Sequence, residues 1–262
     1  RFTQDDAHIF CTEEQIESEI KNILELIRII YKDTFNFEYH VELSTRPEKF
    51  MGEKKSWDYA EKALESALKK EKIKYKINKG DGAFYGPKID FHIKDSLGRS
   101  WQCATIQLDM QMPARFEIYY VDKDNKQKTP IVLHRVIFGS IDRFIGILLE
   151  HLSGALPLWL SPIQVRVINF TDRNVSSSEK ILVALKKEIP NLRIDSDFRN
   201  TTVSDKVRDA EIQKINYIIV IGDKEEKSNT LAVRKRGEKP KFGIKLDDLI
   251  KELKEKIEKR KD

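Results

Sequence analysis

The fold is decided by the stretch at residues 101–109, which reads Trp101-Gln102-Cys103-Ala104-Thr105-Ile106-Gln107-Leu108-Asp109. It is typical of a strand, with polar residues on both faces. One face of the sheet can simply contact water, but a buried polar face would need partners, which a ligand could supply. Turn signals at Gly80-Asp81-Gly82 and Ser96-Leu97-Gly98 separate further strand patterns. Together these features predict an antiparallel meander.

Helical and extended patterns flank this sheet. Thr12 and Gln15 have the spacing of a capping box, and isoleucines at helical period predict a helix over residues 12–32. Residues 37–43 alternate at period two and predict a half-buried strand. A second helix is predicted to be capped by Ser56, and a third to span residues 135–152.

Pro157 and Pro162 interrupt these patterns and predict a boundary between a domain at residues 1–156 and one at 157–262. Beyond them, strands alternate with helices, which predicts a small α/β domain with a parallel or mixed sheet. The predicted strands are residues 165–170, 192–197, 217–221 and 231–235, and the predicted helices are residues 176–188, 203–215 and 246–259.

Composition excludes several classes of protein. The 262 residues are 40% hydrophobic and 35% charged, so the chain has enough apolar residues for real cores and is not wholly disordered. No apolar run approaches the length of a membrane span. Two cysteines cannot form a disulfide framework, which predicts a reducing, cytosol-like compartment. The chain opens at Arg1 without a signal-peptide pattern, like a piece that begins inside something larger.

Three further stretches carry polar residues that could act in chemistry. Taken alone, the first is more simply a polar loop that leads to the Thr12 cap. The second fits a glycine-punctuated hairpin with a surface lysine, so its spacing alone is weak evidence for a ligand site. In the third, Arg143 lies in an otherwise apolar helix, where a buried guanidinium needs an anion or an aromatic face. The stretches are Phe2-Thr3-Gln4-Asp5-Asp6-Ala7-His8, then Gly80 to Asp90 with Tyr85-Gly86-Pro87-Lys88 at its centre, and Leu133-His134-Arg135 leading to Gly139-Ser140-Ile141-Asp142-Arg143-Phe144-Ile145-Gly146.

In combination and in this order, these motifs closely resemble those of threonyl-tRNA synthetases, a family of class II aminoacyl-tRNA synthetases. The resemblance runs from Phe2 to the C-terminus. It implies an α+β catalytic domain with an antiparallel sheet flanked by helices, present from within motif 2 through motif 3 at residues 1–156. An α/β anticodon-binding domain with a mixed sheet then follows at residues 157–262.

The resemblance also implies an activity. Threonine–tRNA ligases use ATP, with Mg²⁺, to convert threonine into threonyl-adenylate and transfer it to the 3′ end of tRNA(Thr). In-line attack on the α-phosphate builds charge that Lys88 and Arg143 would stabilise as catalytic residues. The implied partners are threonine, ATP and tRNA(Thr). A homodimer in the cytoplasm, without membrane association, is also implied.

By the same resemblance, one zinc ion recognises threonine. His8 and His134 match two of its three protein ligands, and the third is a cysteine upstream of the residues present here. A zinc ion with open positions can take both the amine and the hydroxyl of threonine, which valine cannot match. Gln4, Asp6 and Tyr85 match residues that line the threonine pocket.

The ATP-binding residues implied by the family are Phe2, Lys88, Gln102, Thr105 and Arg143, with the adenine between an aromatic ring and a guanidinium. Gln102 and Thr105 are three residues apart and should lie on opposite faces of a strand. A local bulge is therefore needed to bring them to one ligand. Two further departures from the family pattern are Asp142 in place of glutamate and Ala104 in place of glycine.

In the second domain, Asn200, Glu225 and Arg234 match positions that read anticodon bases in the family, and amide, carboxylate and guanidinium groups suit base edges in single-stranded loops. Two alternatives stay open. A non-catalytic fragment or paralogue that binds tRNA-like RNA is favoured by the lack of motif 1. It is opposed by the presence of Lys88, Arg143, His8 and His134, which a protein that only binds RNA would not need. Another class II ligase, such as a prolyl or histidyl enzyme, is opposed by the His8 and His134 pair.

Overall fold

The chain divides into two units, Arg1–His151 and Leu152–Asp262, and the computed structural model describes residues 1–260 of it. In the described part, no helix combines the length and the hydropathy that a membrane span requires. Cys11 and Cys103 are buried free thiols.

The first unit is built around one six-stranded sheet. Its strands and a small separate hairpin (β6, β7) are β1 (Ala7–Cys11), β2 (Tyr39–Ser44), β3 (Tyr75–Asn78), β4 (Lys88–Lys94), β5 (Ser100–Asp109), β6 (Tyr120–Val121), β7 (Gln127–Lys128) and β8 (Ile131–Val136). The order across the large sheet is β1-β8-β5-β4-β2-β3. All neighbours are antiparallel except β2 and β3, which are parallel. The predicted antiparallel sheet is confirmed, with a parallel edge strand that was not expected.

The two faces of this sheet differ in chemistry because side chains alternate along each strand. One face of β4 and β5 is buried and apolar, and helices of the unit contact these strands. It carries Ile89, Phe91, Ile93, Ala104, Ile106 and Leu108. The opposite face carries polar residues, namely Lys88, Asp90, His92, Thr105, Gln107 and Asp109.

A bulge in β5 confirms the irregularity expected from the family resemblance, which puts Gln102 and Thr105 on one ligand. Phe91 pairs with Ala104, but the next residue, His92, pairs with Gln102, so Cys103 is an extra residue. The bulge restores Gln102 to the face that carries Thr105. The two predicted ATP-binding side chains can therefore reach one ligand.

Four helices complete the first unit: α1 (Ile16–Arg28), α2 (Lys54–Lys70), α3 (Met112–Arg115) and α4 (Ile141–His151). The capping box before α1 is confirmed, since the Thr12 N–H donates to Gln15 Oε1 at 2.9 Å within a short 3₁₀ turn. After α1 the chain continues as a π-helical turn, Ile29–Thr34.

Two predictions of helix starts are wrong. The helix α2 begins at Lys54 with Glu53 as its N-cap, so Ser56 lies inside the helix. The helix predicted from residue 135 begins only at Ile141, because Arg135 belongs to β8. Between the two elements, Gly139 has φ +72°, a left-handed conformation that ends the extended chain and favours glycine.

The second unit has a mixed sheet flanked by helices, as predicted, but it contains one strand (Lys241–Ile244) and one short helix (Asp223–Ser228) more than the sequence patterns predict. In chain order the elements are β9 (Val165–Asn169), α5 (Val175–Glu188), β10 (Ile194–Asp197), α6 (Val203–Ile212), β11 (Tyr217–Ile221), α7 (Asp223–Ser228), β12 (Leu231–Lys235), β13 (Lys241–Ile244) and α8 (Leu246–Glu258). The strand order is β10-β9-β11-β12-β13. The first three are parallel, and β12 and β13 add antiparallel pairs.

Candidate functional site

A cavity of about 340 Å³ opens on the polar face of the first unit's sheet. The predicted site residues that line it are Gln4, Asp6, His8, Tyr85, Gln102, Thr105, His134 and Arg143. These residues come from distant parts of the chain, so the fold gathers the predicted threonine, nucleotide and metal groups around one space. Phe2 and Lys88 are not among the lining residues.

Strand register explains this convergence. His8 is paired with His134, His134 with Gln107, and Gln107 with Lys88, so these side chains form one row across four strands. The next row on the same face contains Thr105, opposite Asp90. Because paired residues in antiparallel strands lie about 5 Å apart, neighbouring groups in a row can share a small ligand.

The two imidazoles lie against each other at one end of the cavity. The rings of His8 and His134 have centroids 4.8 Å apart and are nearly perpendicular, at 81°. His134 Nε2 lies 2.9 Å from Asp109 Oδ2. The Asp109 carboxylate is buried and its other oxygen accepts the N–H groups of Gln111 and Met112. Asp109 therefore fixes the His134 ring as a carboxylate behind a metal-binding histidine does.

His8 and His134 are the kind of ligand that zinc uses, but residues 1–260 do not supply the third protein ligand of the expected site. Imidazole nitrogens are common zinc ligands. A carboxylate that orients one of the rings, as Asp109 does, is a common feature behind such ligands. In the described residues, the group of three or more potential ligands within reach of one another is a different one, His40, Glu42 and His92. A zinc ion held by His8 and His134 would therefore need a further ligand from outside the described residues.

Asp90 lies on the polar face and contacts several of the predicted site residues. Sequence patterns alone predict no role for it. It is 1% exposed, accepts three hydrogen bonds and forms an ion pair with Lys88. Gln102 Nε2 and Thr105 Oγ1 donate to its Oδ1 at 2.5 and 2.9 Å. Ser44 Oγ and Lys88 Nζ lie 2.7 and 2.9 Å from its Oδ2. Asp90 therefore orients three of the predicted nucleotide-binding side chains, a role that depends on long-range strand pairing.

Lys88 is held between two carboxylates of unequal exposure. Its Nζ lies 2.9 Å from buried Asp90 and 3.1 Å from Asp81, whose side chain is 56% exposed. Burial lowers the pKa of the Lys88 ammonium, but the hydrogen bonds and charges of Asp90 and Asp81 outweigh burial, so the pKa is raised overall. Lys88 is therefore a fixed cation at neutral pH.

Tyr85 contacts both His134 and Gln107 in the wall of the cavity. Its hydroxyl donates to Gln107 Oε1, and its ring centroid is 5.2 Å from that of His134. Burial, followed by the charges of Asp109 and Asp6, raises the pKa of the Tyr85 phenol. The hydroxyl is thus a neutral hydrogen-bonding group at physiological pH.

Arg143 differs from the sequence expectation in its environment. The expected burial of its guanidinium is wrong: Arg143 is exposed on α4 and donates to the Gln102 carbonyl at 2.7 Å. The nearby turn is held by Asp5, whose carboxylate accepts the N–H groups of residues 137, 138 and 139 at 2.8–3.1 Å. Sequence patterns alone give Asp5 no role of its own.

The N-terminal segment runs beside the start of α4. The Ile141 N–H donates to the Thr3 carbonyl at 2.9 Å, and Gln4 bridges to Ser140. Phe2 is 68% exposed. Within residues 1–260 its ring is not stacked on Arg143, so the expected aromatic–guanidinium sandwich is not assembled in this structure.

The glycines before Lys88 serve chain packing. A Cβ atom on Gly86 would lie 2.0 Å from the Leu108 carbonyl oxygen, and one on Gly82 would lie 2.7 Å from the Thr45 carbonyl oxygen. The close approach expected for a ligand is made here by the protein's own backbone.

A second cavity, of about 530 Å³, lies in the second unit at the carboxyl ends of β9 and β11. Glu225 and Arg234 line it together with exposed Phe170 and Phe242, whereas Asn200 is exposed and does not line it. Glu225 Oε2 also accepts the Gly222 N–H at 3.1 Å. Two of the three predicted anticodon residues are thus brought together.

Comparisons with known sequences match each of the two units to a known domain family. Residues 1–152 match the profile of the tRNA synthetase class II core domain (G, H, P, S and T), and residues 164–256 match that of an anticodon binding domain. The threonine–tRNA ligase of Clostridium tetani is 51% identical over 259 residues, covering 99% of this chain and 40% of that protein. That of Thermotoga neapolitana is 50% identical over 260 residues, with the same coverages of 99% and 40%.

Solved structures agree as well. The RNA binding domain of threonyl-tRNA synthetase from Cryptosporidium parvum superposes with a TM-score of 0.92 at 38% identity, covering 97% of this chain and 64% of that one. A putative threonyl-tRNA synthetase from Aeropyrum pernix gives 0.77 at 29% identity, covering 98% and 64%. The chain spans about 40% of the length of the curated relatives it matches. It belongs to the family of class II tRNA synthetases that share the G, H, P, S and T core domain.

Proposed function

We propose that this chain is part of a threonine–tRNA ligase, with the catalytic part at residues 1–156 and the anticodon-binding part at 157–262. The observation that carries the proposal is the gathering of eight predicted site residues around one cavity. Support for threonine as the substrate comes from relatives about 50% identical that are named threonine–tRNA ligases.

Threonine would bind at the imidazole end of the cavity. Asp6 would accept a hydrogen bond from the threonine hydroxyl, and Gln4 and Tyr85 would line the pocket around it. His8 and His134 would hold a zinc ion, with the third ligand from outside the residues present. When bound, zinc would supply open positions for the amine and hydroxyl of threonine and so disfavour valine. The neutral Tyr85 hydroxyl, fixed by Gln107, keeps the pocket wall polar.

ATP would bind toward Gln102, Thr105 and Arg143. Asp90 holds Gln102 and Thr105 in place. Arg143 and Lys88 supply fixed positive charge for the α-phosphate as the threonine carboxylate attacks and pyrophosphate leaves, with Mg²⁺ accompanying ATP. An exposed ion pair is weak, so a phosphate can replace Asp81 beside Lys88 while buried Asp90 stays. Phe2 would close over the adenine on binding.

The second unit would bind the anticodon of tRNA(Thr). Glu225 and Arg234 offer an acceptor and a donor to base edges, and the exposed rings of Phe170 and Phe242 offer stacking surfaces in the same cavity. Asn200 would contact the RNA outside that cavity. Membership of the class further supports a homodimer acting in the cytoplasm.

The test is threonine-dependent exchange of pyrophosphate into ATP. It is measured on the chain alone and on the chain joined behind the preceding residues of the Clostridium tetani enzyme. We expect exchange in the extended protein with threonine, and at least about 10⁴-fold less with valine because valine lacks the hydroxyl. His134→Ala should lower exchange with threonine and reduce the discrimination against valine.

Two outcomes would contradict the ligase. No exchange in the extended protein, together with retained tRNA binding, would favour the non-catalytic RNA-binding alternative. Exchange with proline or histidine in preference to threonine would indicate another class II ligase.

A further inference from the structure

A second group of potential metal ligands lies on the same face of the sheet, away from the His8 and His134 pair. His40 on β2 is directly opposite His92 on β4, and Glu42 follows on the same face of β2. One ligand atom from each of the three residues lies within 4.8 Å of the others. The two imidazole rings are stacked, with centroids 4.8 Å apart at 11°.

The spacing of the ligand atoms is close to that of a coordination shell. Glu42 Oε1 lies 3.4 Å from His40 Nε2, and Glu42 Oε2 lies 3.8 Å from His92 Nε2. Zinc–ligand bonds of about 2.0–2.1 Å in a tetrahedron place ligand atoms about 3.3 Å apart. Small side-chain rotations would therefore suffice to bind an ion.

The backbone under this group is rigid. The alternate residues of the same strands, Val41, Leu43, Phe91 and Ile93, are each at most 3% exposed in the core. On the next strand, Asn78 Nδ2 donates to Glu42 Oε2 at 3.0 Å, which orients the carboxylate from outside. A supporting hydrogen bond of this kind is a usual feature behind metal ligands.

The group is also accessible. The side chains of His40, Glu42 and His92 are 37%, 21% and 20% exposed, so an ion can enter and water can complete its coordination. Two imidazoles and one carboxylate suit zinc and neighbouring divalent transition metals rather than Mg²⁺ or Ca²⁺, which prefer oxygen ligands alone.

We propose that His40, Glu42 and His92 form a binding site for a divalent transition metal ion, with open positions filled by water. The site is separate from the His8 and His134 pair, because β5 lies between the strands that carry the two groups. His92 is the cross-strand partner of Gln102, so an ion here adds positive charge beside the Gln102 end of the cavity.

The test is a Co²⁺ titration followed by visible absorption, in a His8→Ala/His134→Ala background that removes the other imidazole pair. We expect one Co²⁺ per chain, with d–d bands and no thiolate charge-transfer band. Adding His92→Ala should weaken binding by at least about tenfold, since one of three ligands is lost. Asn78→Ala should weaken it by about tenfold through the lost support of Glu42.

As a control for folding, the thermal unfolding midpoint of each variant is measured without metal. Glu42→Gln removes the carboxylate ligand with almost no change in side-chain size. Zn²⁺ should raise the midpoint of the His8→Ala/His134→Ala protein and not that of a variant that also carries Glu42→Gln. The proposal is overturned if that background binds no Co²⁺. It is equally overturned if binding is unchanged by both His92→Ala and Glu42→Gln.

Discussion

At the scale of single residues, two buried aspartates organise the candidate site. Asp90 holds Gln102, Thr105 and Lys88, and Asp109 holds His134. Neither carboxylate is placed to contact threonine or ATP directly in the proposed scheme. Their effect is to fix the groups that do, so their loss should reduce both stability and the order of the site.

Asp90→Asn should lower the free energy of unfolding by about 3 kcal/mol, because it leaves the ammonium of Lys88 without its buried partner. Asp81→Asn is the matched control, since Asp81 pairs with the same ammonium from an exposed position. Asp81→Asn should lower the free energy of unfolding by less than about 1 kcal/mol. Urea unfolding of the two variants measures the difference, and equal losses would contradict the role given to Asp90.

Much of the site at this scale could be predicted from the sequence, and the missed part has a physical reason. His8, Tyr85, Gln102 and His134 belong to motifs that can be read locally, and the structure gathers them around one cavity. The roles of Asp5, Asp90 and Asp109 depend on contacts between residues far apart in the chain. Such contacts leave no local pattern.

At the scale of elements, the β5 bulge could be predicted only with the family resemblance, which puts Gln102 and Thr105 on one ligand although strict alternation would separate them. The start of α4 could not be predicted, because the mostly apolar residues 131–138, interrupted by His134 and Arg135, carry no capping or turn signal before Gly139 that separates strand from helix. The break comes from the backbone at Gly139, whose φ of +72° favours glycine and where a Cβ atom would lie only 3.0 Å from the Cys103 carbonyl oxygen.

Two glycine substitutions should have opposite effects on stability. Gly86→Ala should destabilise the protein by about 2 kcal/mol or more, because its Cβ would collide with the backbone of β5. Gly146→Ala should stabilise it by about 0.5–1 kcal/mol, because Gly146 is an exposed helical residue with open space around it. Chemical unfolding checks both values, and a stable Gly86→Ala variant would argue against the packing of this loop on β5.

The β4–β5 turn should contribute to acid sensitivity through Asp95. Burial raises the pKa of this carboxyl, but hydrogen bonds from Trp101 and Arg99 outweigh burial and lower the pKa to about 2. The stabilisation is complete above the ordinary value of 3.8 and is lost as the pH falls through the folded value. Wild type should therefore lose stability more steeply than Asp95→Asn between pH 4 and 2.

Thermal unfolding at several pH values compares these curves. Asp124→Asn, at an exposed loop position, serves as the control and should follow wild type. Parallel curves for wild type and Asp95→Asn would show that the turn does not depend on the ionised carboxylate.

At the scale of the whole molecule, the two units carry different parts of one proposed activity. The first has a polar cavity lined by two imidazoles and Arg143, and the second has a cavity with exposed aromatic rings, Glu225 and Arg234. Periodicity predicts the main helices and the central strands β2, β4 and β5 of the first unit, and the alternating strands and helices of the second, but not β1, β8, α3 or α7. The edge strands β3 and β13 could not be predicted either, because they are short and partly exposed.

The most direct test of the central claim is a crystal structure of the extended protein with a non-hydrolysable threonyl-adenylate analogue. The account predicts the threonyl group beside Asp6, Tyr85 and the two imidazoles of His8 and His134, with the adenine next to Arg143. An analogue bound elsewhere, or with its threonyl group turned away from both imidazoles, would contradict the account.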